Sequence, residues 1–164
     1  MAPRKDIADG LKKATCSYLL RKGYACHIEI GIARFGKRKA DVLAVNLKGE
    51  LVIGEVKSCV SDFTSDRKWQ AYLPSCNKYY WIFTQHTAQL LEENFDSFRK
   101  LGCGVLALCP VSGYLKCIVP AKYRKMLGSE KRHIITRLAW RSGDISKRNS
   151  RRTRVFIGDH NEQT

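Results

Sequence analysis

Residues 39–57 constrain this chain more than any other stretch: an apolar arm over 39–45, a turn at 46–49 and a return over 50–57. Each arm is rich in aliphatic and β-branched residues, and the turn carries Gly49, the pattern of a β-hairpin. Three charged residues interrupt the arms: Asp41 early in the first, Glu55 and Lys57 late in the second. All three therefore lie at the open end. With Leu47-Lys48-Gly49 as a three-residue loop and Gly49 left-handed, Asn46 pairs with Glu50 and, counting outward, Asp41 faces Glu55. A two-residue loop (Lys48-Gly49) would place Val56 there instead, with its side chain on the other face. Lys57 shares a face with Glu55 because strand side chains repeat every two residues. The three-residue loop thus predicts a patch of two carboxylates and one ammonium.

Two carboxylates a side chain apart repel each other unless a cation lies between them. Oxygen ligands on a short β-ribbon, with coordination positions left for water and phosphate, suit Mg²⁺ or, in its place, Mn²⁺. A lysine at the rim can position an attacking water or hold the phosphate under attack. The plain alternative is a strand-entry Asp41 beside a solvated Glu55/Lys57 pair. The hairpin context, the register and the basicity of the chain favour the site.

Asp41 with Glu55-Val56-Lys57 resembles the core of the PD-(D/E)XK, or restriction-endonuclease-like, nuclease superfamily. A longer set is more specific: Arg38-Lys39-Ala40-Asp41-Val42, Lys48-Gly49-Glu50, Ile53, Glu55-Val56-Lys57-Ser58, Val60-Ser61-Asp62-Phe63, Asp66-Arg67-Lys68-Trp69, Tyr72 and Cys76. Over residues 10–85 this set resembles the MmcB-type DNA-repair endonucleases. The first motif departs from the superfamily name, since Ala40 and not Pro precedes Asp41. The resemblance implies a Mg²⁺-dependent deoxyribonuclease in which Asp41 and Glu55 hold the metal, joined by Glu29 and the Val56 carbonyl, with Lys57 as the catalytic lysine. It also implies that Gln70, on the segment after the lysine, supports the water or the lysine.

Composition bounds this reading. The chain has 164 residues, 44% hydrophobic and 27% charged, which fits one globular domain rather than a disordered polymer. Thirty Lys/Arg against fifteen Asp/Glu give a net charge of +15, which calls for a polyanionic partner. No apolar run approaches a membrane span and no secretory segment is recognisable, so DNA is the expected partner, with RNA left open and a membrane excluded. The seven cysteines form no C-x-x-C spacing and read as reduced core thiols of a cytoplasmic protein, nucleoid-associated or in a host's cytoplasm if viral.

In chain order, the pattern predicts a helix over 7–22 stopped by Gly23, and a strand over 25–32 carrying Glu29. The loop cations Arg34, Lys37, Arg38 and Lys39 feed into Asp41 and are candidate phosphate contacts. Ser61 and Ser65 are expected to cap a short helical turn and a helix ending near Pro74, which carries Arg67 and Lys68 towards the site. Trp69 reads as core. A strand over 78–84 has aromatics on both faces, as a central strand does. A helix over 87–101, a hairpin over 104–119, and helices over 121–127 and 129–140 complete an α/β fold: a mixed sheet flanked by helices. Residues 1–140 form the nuclease-like domain and 141–164 a basic tail expected to be flexible, where Lys147, Arg148, Arg151 and Arg152 would bind nucleic acid without reading sequence. Two other functions fit these residues: a dimeric resolvase of branched DNA, and a non-catalytic nucleic-acid-binding module.

Overall fold

The computed structural model describes residues 3–32 and 38–143. Helix α1 (Arg4–Leu20) buries Leu11, Thr15 and Leu19, an i, i+4 stripe that faces a sheet. The chain turns through Gly23, whose φ of +82° favours glycine, into strand β1 (Tyr24–Gly31). Strands β2 (Lys39–Asn46) and β3 (Leu51–Val56) form the predicted hairpin. Then come a short helix α2 (Val60–Ser65), a 3₁₀ segment (Trp69–Ser75) and strand β4 (Lys78–Thr84). Helices α3 (Gln85–Leu90) and α4 (Phe95–Lys100), strands β5 (Gly104–Leu108) and β6 (Leu115–Val119), and helix α5 (Gly128–Ser142) complete the described chain.

The six strands lie in sequence order in one sheet. β1, β2 and β3 are antiparallel neighbours, β3, β4 and β5 are parallel, and β6 runs antiparallel to β5. This is the mixed, helix-flanked α/β sheet expected from the sequence. α1 covers one face, against Val42, Val52, Val56, Ile82 and Leu106. The 3₁₀ segment and helices α3, α4 and α5 cover the other, around Leu43, Ile53, Tyr79, Trp81 and Phe83. Both faces of β4 are apolar because it lies inside the sheet with a helical layer on each side.

The hairpin register is the one the three-residue loop requires. Val42 faces Gly54, Leu43 faces Ile53 and Val45 faces Leu51. The Gly49 N–H donates to the Asn46 carbonyl at 2.9 Å, and Gly49 has φ +71°. Asn46 Oδ1 also accepts from the N–H groups of Lys48 and Glu50, so the turn is fixed by its own side chain.

Four local expectations are corrected. Residues 121–127 are not helical: the Lys122 N–H donates to the Gly102 carbonyl and the Arg124 N–H to the Asn77 carbonyl, while Asn77 Nδ2 donates to the Arg124 carbonyl. Tertiary partners have taken the groups a helix would need. The helix expected over 87–101 starts earlier, with Thr84 Oγ1 accepting from the Thr87 N–H, and is split by a 3₁₀ turn at Glu92–Asn94. Ser61 and Ser65 do not cap: both lie inside α2, and the side chains that accept N–H groups at these turns are Asp62, from Ser58, and Asp66, from Lys68. Of the seven free cysteines only Cys76 and Cys103 are buried.

Gly54 and Gly104 mark close approaches. A Cβ on Gly54 would lie 3.2 Å from Thr15 Cγ2, so α1 rests directly on β3. A Cβ on Gly104 would lie 2.3 Å from the Tyr80 ring and 2.8 Å from the Ala121 backbone nitrogen. Gly104→Ala is therefore expected to cost about 3 kcal/mol through overpacking. Gly10→Ala, in open space on α1, should instead stabilise by up to about 1 kcal/mol. Urea denaturation of the two variants checks this, and equal stabilities would refute the packing argument.

Candidate metal centre and nucleic-acid interface

Strand β3 is buried along its whole length, yet the chain leaves it through two ionisable residues, Glu55 and Lys57, each 7% exposed. Their side chains lie on the Trp81 side of the sheet. Lys57 Nζ sits 5.8 Å from the Trp81 ring centroid, 2.7 Å from Asp66 Oδ2 and 3.5 Å from Glu55 Oε1. Burial alone would lower the lysine pKa. The Asp66 hydrogen bond and the fields of Glu55 and Asp66 outweigh it and raise the pKa, so Lys57 stays protonated. Asp66, also pushed upward by burial, ends lower than usual because Lys57 and the Lys68 N–H hold its charge.

Asp41 enters from the neighbouring strand. Its Oδ2 accepts the Val56 N–H at 2.9 Å, tying the first arm of the hairpin to the second where the regular ladder has ended. Glu55 is the least satisfied member: Oε2 is buried without a hydrogen-bond partner. Its pKa is pushed up to about 8, first by burial and next by the Asp41 charge, with Lys57 opposing. Burial also raises Asp41, against the Val56 hydrogen bond and the fields of Lys12 and Lys57. A buried carboxylate and a half-buried one that both resist ionisation are a donor set that a divalent cation would relieve.

Glu29 takes a different position. Its backbone has φ +51°, left-handed for a residue with a side chain. The β1–β2 ladder is regular on either side, Ile28 with Val42 and Ile30 with Ala40, so the irregularity falls where Glu29 would face Asp41. β2 changes face at the same step: Ala40 joins the Leu43 core, while Val42 joins the layer under α1. The Glu29 carboxylate is held at 2.8 Å by both Lys12 and Lys39, which draw its pKa down to about 2. Among the described residues, no group of three or more His, Cys, Asp or Glu is arranged for a metal. Asp41 and Glu55 therefore stand as a pair, with Glu29 engaged by lysines.

The other candidates divide. Arg38 is spent on structure, donating to the Ala71 carbonyl at 2.9 Å, and Lys39 on Glu29. Arg67, Lys68 and Gln70 are exposed where the chain leaves the Asp66 turn. Trp69 packs against Tyr79 and Trp81, as core. Arg34, Lys37, Lys147, Arg148, Arg151 and Arg152 lie outside the described residues.

Sequence reasoning missed two participants. Lys12 projects from α1 to Glu29, and its charge acts on Asp41. A lysine on an amphipathic helix gives no signal of this, since only the docking of α1 brings it there. Asp66 lies nine positions beyond Lys57, and its pairing with the lysine is set by the fold. A cleft of about 380 Å³ adjoins the site, lined in part by Arg4, Lys5, Ser58, Ser61 and Asp62.

A mixed sheet with a carboxylate pair and a buried lysine at the open end of its antiparallel hairpin is consistent with a restriction-endonuclease-like fold. The chain belongs to the MmcB-like family: the family model described as "DNA repair protein MmcB-like" matches residues 4–141. Among solved structures, a Silicibacter pomeroyi protein of unknown function, SPO1766, is 25% identical, with a TM-score of 0.68 over 89% of this chain and 94% of that one. The Pyrococcus furiosus protein SfsA, solved with Ca²⁺, is 15% identical, with a TM-score of 0.39 over 72% of this chain and 64% of that one. No curated protein matches significantly.

Two outcomes test the electrostatics. A carboxyl whose folded pKa is raised contributes stability that is present below its unfolded value and is lost as pH rises through the folded one. With Glu55 moved from 4.5 to about 8, the metal-free protein should lose stability between those limits. Glu55→Gln should abolish that loss and melt higher than wild type at pH 8, with no such gain at pH 4. Asp66→Ala should destabilise by about 3 kcal/mol, because it strands the Lys57 charge, and a second change, Lys57→Met, should restore most of it. If the double variant is no more stable than the single, the ion pair is not what holds this turn.

Proposed function

We propose that this protein is a metal-dependent DNA endonuclease of the PD-(D/E)XK type, acting in DNA repair, recombination or processing. The observation that carries the reading is the half-buried Asp41 with the buried Glu55, one of whose carboxylate oxygens is unpaired, beside a protonated Lys57. Asp41, Glu55 and the Val56 carbonyl are the groups that would hold Mg²⁺ or Mn²⁺. Bound there, such a cation would lower the pKa of a water and offset charge developing on the phosphate. Lys57 is a donor and not a base, since its neighbours keep it protonated. Held by Asp66 and backed by Trp81, it orients the nucleophile or steadies a phosphate oxygen without reorganising. Lys12 and Lys39 fix Glu29 at the rim. Arg4 and Lys5, at the neighbouring cleft, offer a path for the flanking backbone. Membership of a DNA repair family and the net charge of +15 support DNA as the partner.

One observation favours a second reading, a non-catalytic DNA-binding module. The carboxylate that would complete a three-acid site, Glu29, is already paired with two lysines. Cleavage of labelled single-stranded, duplex, nicked, flap and four-way-junction DNA in Mg²⁺, Mn²⁺ or EDTA separates the two. The nuclease predicts metal-dependent cutting reduced by a factor of about 10³ or more in Lys57→Ala, together with a thermal midpoint raised by about 5 °C by Mn²⁺ in wild type but not in Glu55→Gln. Preferential cutting of the junction would make it a resolvase. Binding without cutting, unaltered in Lys57→Ala, would leave the module.

A further inference from the structure

The outer face of helix α5 is unlike the rest of the surface. Ile134 and Leu138 bury its inner stripe against the sheet, which turns Arg132, Thr136 and Trp140, spaced at i, i+4 and i+8, to the outside. Trp140 is 88% exposed, whereas tryptophan is usually largely covered. The helix carries four cations, Lys131, Arg132, Arg137 and Arg141, against one acid, Glu130, which accepts a hydrogen bond from Ser75.

Its position is fixed at both ends. Lys131 and Ile135 lie against Gly49 at the hairpin turn, and Arg141 donates to the Ile28 and Glu29 carbonyls at 3.3 Å. α5 thus runs beside the hairpin from its turn to its open end, and Trp140 stands one residue from the contact with Glu29. Glu29 in turn is bound to Lys12, whose charge acts on Asp41. A tryptophan beside an exposed arginine is a pairing that binds nucleic acid by stacking: the ring takes a base face and a guanidinium, here that of Arg132, takes a phosphate. Only an unpaired base has a face to offer.

We propose that the outer face of α5 binds single-stranded DNA, with Trp140 stacking on an unpaired base beside the Asp41/Glu55/Lys57 site. This rests on the DNA-directed reading of that site and narrows its substrate class to DNA with an unpaired segment. Positive charge on this face favours a polyanion over a second copy of the equally basic chain.

The test is binding in EDTA, so that cleavage plays no part. Anisotropy titrations of a labelled single-stranded 20-mer and a blunt duplex would be run with wild type, Trp140→Ala, Trp140→Phe and Arg132→Ala. Trp140→Ala should weaken single-strand binding about tenfold and leave duplex binding within a factor of about two. Trp140→Phe should keep most of the affinity, and single-stranded DNA should quench an emission component that Trp140→Phe lacks. Arg132→Ala should reduce the salt slope, which Trp140→Ala should not. Unchanged single-strand affinity in Trp140→Ala, or equal losses on both DNAs, would overturn the proposal. A change in sedimentation instead of single-strand affinity would overturn it too, making the face a contact between copies. Failure of the nuclease reading is separate: a protein that never cuts, yet loses single-strand binding in Trp140→Ala, keeps the strip and loses the enzyme.

Discussion

Burial of two ionisable residues at the end of β3 is the constraint on which the rest of the site depends. A strand buried over every residue has no solvent with which to satisfy Glu55 and Lys57. Lys57 is satisfied by Asp66, a residue brought from the far side of α2, and is backed by the Trp81 ring. Glu55 is not fully satisfied, and the resulting strain appears as a carboxyl that resists ionisation next to Asp41. Stable cores avoid such arrangements. Where one persists, the unpaired oxygen is the best physical indication of what the protein handles.

The surrounding architecture supplies that arrangement. The antiparallel hairpin brings Asp41 and Glu55 to the same level. The parallel strand β4 then seals Glu55 and Lys57 from behind with Trp81 and Tyr79. α1 lies on the opposite face, close enough at Gly54 to need a glycine, and so carries Lys12 to the rim. α5 crosses from the hairpin turn to the open end and fastens onto the backbone of Ile28 and Glu29. The hairpin, α1 and α5, distant in sequence, thus meet at one end of the strands, and each contributes a cation there: Lys57, Lys12 and Arg141.

Much of this was legible from local pattern. Asn46, Gly49 and the alternation on either side specify the loop, and the loop specifies which residue faces Asp41. The aromatic strand over 78–84 announced a position inside the sheet. Where local reading failed, a long-range partner had claimed the backbone: Asn77 and Gly102 draw the groups of residues 121–127 out of a helix. Serines that looked like caps lie inside α2 instead, and the neighbouring turn N–H groups of Ser58 and Lys68 are held by the carboxylates of Asp62 and Asp66.

The sequence by itself determined the hairpin register, the pairing of Asp41 with the level of Glu55, the central strand and the excess of positive charge. These follow from turn chemistry, two-residue periodicity and composition, all of which act over a few neighbouring residues or none. Only the tertiary structure decided that Asp66 holds Lys57, that Lys12 and Lys39 claim Glu29, and that Trp140 faces outward beside the site. Those outcomes depend on how helices dock on a sheet, and side chains far apart in the chain compete for partners only once that docking has removed water from between them.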